Sequence, residues 1–139
     1  MATPENEAKI KYLSRYIALS GRINRMLEEQ YRWKCLAMKV TQNFSPAPGG
    51  SESGSPIERP MDKVDELERK ITQAIDELAD IRKEIEDVLG QLEDEKLRRL
   101  MEYRYIDGLT WEQVAEKMHY SWRHTCRLHG EALDKINMS

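Results

Sequence analysis

The chain has one phenylalanine, two cysteines and no stretch near the ~20 consecutive apolar residues that a membrane span needs. Runs of alternating apolar and polar residues are missing too, and helix formers dominate. This excludes a β-sandwich or barrel and predicts an all-α protein. The cysteines, Cys35 and Cys126, lie far apart in unlike contexts. That excludes a disulfide framework and fits reduced thiols in a cytoplasmic protein. The opening MATPENEAKI has neither a charged n-region nor an apolar core, so no secretory signal is expected in it. No phosphate loop, no metal-ligand cluster and no nucleophile paired with a base can be recognised. The expectation is a protein that is not an enzyme, with no catalytic residues, no cofactor and no metal.

What is present is charge, unevenly spread. Of 139 residues 34% are charged, and the mean hydropathy is −0.75. Residues 1–43 carry eight Lys/Arg against four Asp/Glu, residues 61–92 five against ten, and residues 93–139 eight against nine. A uniformly basic nucleic-acid binder is thereby excluded. Opposite charge on the first two segments suggests that they lie together.

Glu5 to Asn43 reads as one long helix. Tyr12, Tyr16, Leu19, Ile23, Met26 and Trp33 follow one stripe, and Ile10, Leu13, Ile17, Leu27 and Tyr31 an adjoining one. Gly21 interrupts it at about 1 kcal/mol, a cost that close approach of a partner helix would offset. Residues 44–60, FSPAPGGSESGSPIERP, read as a flexible linker that holds every proline except Pro4. From Met61 to Leu92 runs an apolar heptad. Val64, Ile71, Leu78, Ile85 and Leu92 take one seam position, and Leu67, Ala74, Ile81 and Val88 the other. Such a seam needs covering. Either the first helix folds back on it as an antiparallel hairpin, or a second copy pairs with it, and a four-helix arrangement would satisfy both. Gly90 is expected to mark a bend before the C-terminal unit. The division expected is 1–92 for the coiled-coil hairpin with its linker and 93–139 for a second domain.

The segment 93–136 is the most specific. Asp107 and Gly108 stop one helix. Thr110, with Gln113 three residues on, opens another as a capping box, and Ser121 caps a third. Val114, Ala115 and Met118 form the inward face of the middle helix. Thr125, Leu128, Ala132, Leu133 and Ile136 form that of the last, with Trp122, Arg123, Cys126, Arg127 and His129 pointing elsewhere. This is the pattern of a helix-turn-helix. Between Glu116 and Glu131 no acid occurs, so that stretch repels phosphate least.

The residues RYIDGLTWEQVAEKMHYS followed by ALDKI resemble region 4 of bacterial sigma factors, which binds the upstream element of promoters. The likeness runs through Arg104, Tyr105, Gly108, Leu109, Thr110, Glu112, Val114, Ala115, Glu116, Ser121, Ala132 and Leu133. The whole chain resembles phage- and prophage-encoded proteins of Gram-positive bacteria, and in style the late-gene regulators of the ArpU and RinA type. Region 4 usually has glycine in the turn where this chain has His119, a residue type that tolerates positive φ. It also places other groups where this chain has Trp122, Arg123, Cys126 and Arg127, so the family's promoter sequence does not carry over.

The resemblance implies a sequence-specific transcription regulator with double-stranded DNA and RNA polymerase as partners, and the uncovered seam together with the net-acidic charge favours a homo-oligomer, a dimer that uses two half-sites. Trp122, Arg123, Cys126 and Arg127 are the expected groove-facing residues, with His124 and Lys117 nearer the phosphates. Two other readings stay open. One is a phage packaging protein of the small-terminase kind. The other is a helical adaptor that binds another protein and carries a degenerate helix-turn-helix.

Overall fold

Helix formers and well-placed caps set six helices among the described residues. The computed structural model describes residues 3–43 and 58–138. The helices are α1 (Pro4–Leu13), α2 (Arg15–Asn43), α3 (Glu58–Leu89), α4 (Glu95–Tyr105), α5 (Trp111–Met118) and α6 (Trp122–Lys135), and no strand occurs among the described residues. The protein is all-α. No helix among these residues is long and apolar enough to cross a membrane.

The single first helix expected from the sequence is two helices. Ser14 interrupts it: its Oγ donates to the Ile10 carbonyl at 2.7 Å, a local bond that competes with the helix ladder. Of the expected linker, residues 44–57 lie outside the described residues. Its last three residues, from Glu58 to Pro60, belong to α3, where a proline in the first turn removes no helical hydrogen bond.

The described residues form two compact units, Met1–Ser20 with Leu78–Ser139, and Gly21–Glu77. In the first unit, α4, α5 and α6 pack against one another and α1 packs on α6. Its interior includes Leu13, Ile85, Leu97, Leu100, Met101 and Leu133. Two polar contacts hold α1 to the end of α6. The Asn6 side-chain amide donates to Asp134 Oδ1 at 3.1 Å, and Lys9 Nζ donates to the Leu133 carbonyl at 2.8 Å. The second contact puts a cation on the negative end of the α6 dipole. Gln91 and Asn137 exchange two hydrogen bonds, at 3.1 and 3.0 Å, and so anchor the chain just beyond α6. Also in this unit, the Tyr12 hydroxyl donates to Glu84, Arg15 pairs with Glu84 at 3.4 Å, and Arg82 donates to the Tyr16 hydroxyl.

The second unit consists of the rest of α2 and the first part of α3. Val64, Leu67, Ile71 and Ala74 are buried as the heptad requires, as are Ile23 and Ala37 of α2. Gln30 is buried in the same seam. Its Nε2 donates to the Val64 carbonyl at 3.1 Å and to Glu68 Oε1 at 2.9 Å. Three expectations are corrected here. Leu27 and Tyr31 are exposed rather than part of a second buried stripe, because the buried side of α2 is narrow. Among the described residues nothing lies within 4 Å of a Cβ built on Gly21, so none of their helices approaches closely enough to offset its cost. Toward the end of α3, which lies in the first unit, Leu89 is buried and Val88 only half-buried. A straight helix turns about 20° per heptad away from a 3.5-residue seam. After three heptads Leu89 has rotated into the place expected for Val88.

Candidate nucleic-acid interface

The last three helices are set by their ends. Asp94 caps α4 by accepting from the Lys96 amide at 2.9 Å. After α4 the chain reverses through Gly108 at φ +73, where a side chain would also press on Ile17 Cδ1 at 3.2 Å. Both conditions select glycine. Thr110 and Gln113 form a complete capping box: the Gln113 amide donates to Thr110 Oγ1 at 3.2 Å and the Thr110 amide to Gln113 Oε1 at 2.9 Å.

The turn from α5 to α6 is only three residues long. His119 takes the left-handed conformation, φ 61 and ψ 39. Its amide and that of Tyr120 return to the carbonyls of Glu116 and Ala115, which closes a Schellman motif. Ser121 then caps α6 by accepting from the His124 amide at 3.1 Å. Val114, Ala115, Thr125, Ala132 and Leu133 are buried between these helices. Thr125 satisfies its hydroxyl by donating to the Ser121 carbonyl at 2.9 Å.

With that side of α6 committed, the other is presented outward. Trp122 is 59% exposed at the first turn. Arg123 and Arg127 are exposed and Cys126 is half-buried with a free thiol. At 100° per residue these four fall on one side of the helix, with Gly130 continuing it. A Cβ on Gly130 would meet nothing within 4 Å, so the chain's own packing does not require glycine there. His124 is half-buried. Arg127 donates to its Nδ1 at 2.6 Å, and Tyr120 stands edge-on to the imidazole at 4.8 Å. The Arg127 guanidinium is thus steadied along the helix while other N–H groups remain available. Lys117 is exposed in the last turn of α5. The first turn of α6 carries no acid, so its unbonded amides and dipole favour an anion.

His129 does not point away from the interior as expected. It lies between α4 and α5, with its ring 4.3 Å from that of Trp111 and its Nε2 sharing a 2.7 Å hydrogen bond with the Tyr105 hydroxyl. Arg104 stacks over Trp111, 5.0 Å from the ring centroid, and donates to the Leu109 carbonyl at 3.0 Å. Burial first, and the Arg104 charge second, push the His129 pKa down to about 4. Burial pushes the Tyr105 hydroxyl up to about 12. The cluster therefore stays neutral near pH 7 apart from Arg104. Tyr120 and His129 owe their roles to the fold, and a position in the sequence marks neither. Among the described residues no group of His, Cys, Asp and Glu could hold a metal ion.

Comparison of the chain with family models, with curated proteins and with solved structures gave no match.

Proposed function

We propose that the protein is a sequence-specific DNA-binding transcription regulator whose helix-turn-helix, α5 and α6, reads the major groove. The observation that carries this reading is the outward side of α6: Trp122, Arg123 and Arg127 stand exposed just after the Ser121 cap, on a helix held to α5 by a three-residue turn. In a helix-turn-helix the residues that follow this cap meet base edges. Arginine grips guanine bidentately, and Trp122 offers an apolar surface to a thymine methyl or a sugar. His124 and Lys117 flank that side and suit phosphates. The likeness of residues 104–133 to sigma region 4 adds RNA polymerase as a partner, and the likeness of the whole chain to phage- and prophage-encoded proteins adds that setting.

In the same reading α2 and α3 form an antiparallel hairpin, supported within the first unit by the pairs Arg15–Glu84 and Tyr16–Arg82, in which numbers fall on one helix as they rise on the other. The hairpin self-associates, so that two copies read two half-sites.

The test uses DNA fragments recovered with the protein from cells and titrated with purified chain. Arg123→Ala and Arg127→Ala should each weaken binding by about 1–3 kcal/mol and relax sequence preference. Lys117→Ala should weaken all sequences alike and flatten the salt dependence. A double arginine variant that binds as tightly as the unaltered protein overturns the reading and leaves the adaptor reading in its place.

A further inference from the structure

The Gly21–Glu77 unit leaves apolar side chains outside its seam. Leu27, Tyr31 and Met38 of α2 fall within about 40° of one another around the helix axis, so they form a single outward stripe. Tyr31 is 68% and Met38 62% exposed. On α3, Met61 and Ile75 are exposed as well. Leu27 follows the seam residue Met26 by one position, and Ile75 follows Ala74 by one. In an antiparallel pair these equivalent positions lie on the same flank of the shared seam.

Charge divides between the two helices. Residues 21–43 hold five Lys/Arg against two Glu, and residues 58–77 hold seven Asp/Glu against four Lys/Arg. Lys34 stands exposed beside the α2 stripe, Arg32 and Lys39 stand exposed about 100–120° further round the helix, and Asp65, Glu68 and Asp76 stand exposed on α3. The sequence suggests that this contrast draws the two helices together. Among the described residues of this unit, however, the ion pairs lie within α3, Lys63–Glu66 and Lys70–Glu66, and none joins α2 to α3.

We infer that this flank docks a second copy of the chain, with the basic, apolar side of α2 laid on the acidic side of α3 of the other copy. A two-fold pairing repeats each contact, so the apolar stripe and the charge contrast both act twice, and the product is a four-helix core. The inference deepens the self-association proposed above and rests on that part of the reading, not on DNA recognition.

Sedimentation of the full chain at micromolar concentration tests it. The unaltered protein should have the mass of two chains. Tyr31→Glu with Met38→Glu should raise the dissociation constant by roughly tenfold or more, with circular dichroism unchanged because both side chains are exposed. A copy with Arg32→Glu and Lys39→Glu, and another with Asp65→Lys and Asp76→Lys, should each sediment as single chains and recover the two-chain mass when mixed. Mixed recovery needs two folded chains, so it decides the matter even where the Tyr31/Met38 variant loses helicity. A single-chain mass for the unaltered protein overturns the inference, as does a two-chain mass for each charge variant alone. DNA titration keeps the two proposals apart. A single-chain protein that still binds DNA through Arg123 and Arg127 defeats only the pairing, and a pair that binds no DNA defeats only the reading of DNA.

Discussion

The two compact units handle apolar surface in opposite ways. Among the described residues, the largest fully buried side chains, from Leu13 through Ile85, Leu97 and Leu100 to Ile136, belong to the unit of Met1–Ser20 and Leu78–Ser139. Of the exposed large hydrophobic residues among those described, that unit contributes Trp122, and Leu27, Tyr31, Leu36, Met38, Met61 and Ile75 belong to the Gly21–Glu77 unit. Several short helices crossing one another can enclose a side chain from all directions. Two long helices side by side offer one strip of contact and leave the rest of each helix in water. A heptad repeat therefore marks a surface that needs a partner, and the capped short helices mark a unit that supplies its own interior.

Core truncations should measure this difference most sharply. Leu100→Ala should destabilise the first unit by about 3–4 kcal/mol, because a fully enclosed site collapses poorly onto the void. Ile71→Ala, in a seam open on its sides, should fall nearer the ~2 kcal/mol lower end of that range. Urea unfolding followed by circular dichroism for the helices and by tryptophan fluorescence for the interior gives both values. Equal losses would remove the contrast.

The features that sequence made legible are those whose cause is local. Thr110 with Gln113, His119 at positive φ, Ser121 and Gly108 each act within a few residues, so their chemistry names their place. The heptad from Val64 to Ile85 was legible because its period exceeds any local accident. Gln30 carries no such signal, because a polar residue looks wrong in an apolar seam. It is tolerated because the Val64 carbonyl and Glu68 accept both its bonds. His129 is illegible for the opposite reason: a histidine reads as a surface residue unless Tyr105 and Trp111 are known to enclose it. The contacts of Asn6 and Lys9 with the end of α6 leave no periodic trace at all, since two polar side chains meet partners more than a hundred residues away. For the outward side of α6, the sequence supplied the residue types. Their exposure follows from the packing of α4 and α5 on the other side of α6, and the His124–Arg127 bond is an i,i+3 contact within that helix.

Acid should separate the units next. The His129 pKa lies near 4 when folded, against 6.5 when the ring is free. Between these values the unfolded chain binds the extra proton, so stability is full above about pH 6.5 and falls as the pH drops toward 4. The whole shift corresponds to about 3 kcal/mol. Hydrogen exchange across that window should show the amides of α4 and α6 losing protection ahead of those in residues 21–36. His129→Phe, which keeps a ring between Tyr105 and Trp111, should flatten the dependence. An unchanged pH profile in that variant would remove His129 as its source.

The smallest effect belongs to the turn. His119→Gly relieves the left-handed strain of a residue with a Cβ and should raise stability by up to about 1 kcal/mol. The gain should appear in the melting of the α4–α6 segment and leave Gly21–Glu77 unaffected. A loss of stability would mean that the imidazole contributes more than the backbone conformation costs.

The bond from Asn6 to Asp134 joins residues 128 apart in sequence. During synthesis α1 leaves the ribosome long before its partner exists, and at about 5–20 residues per second it waits several seconds or more for α6. Through that interval Leu13 has no interior to enter, while the two long helices made in between already carry a complete seam. The order of assembly is therefore inverted with respect to the chain: the middle can zip first, and the beginning closes only when the end arrives. Until then Lys9 has no final carbonyl of α6 to meet, so α1 stays undocked while the chain is still being made.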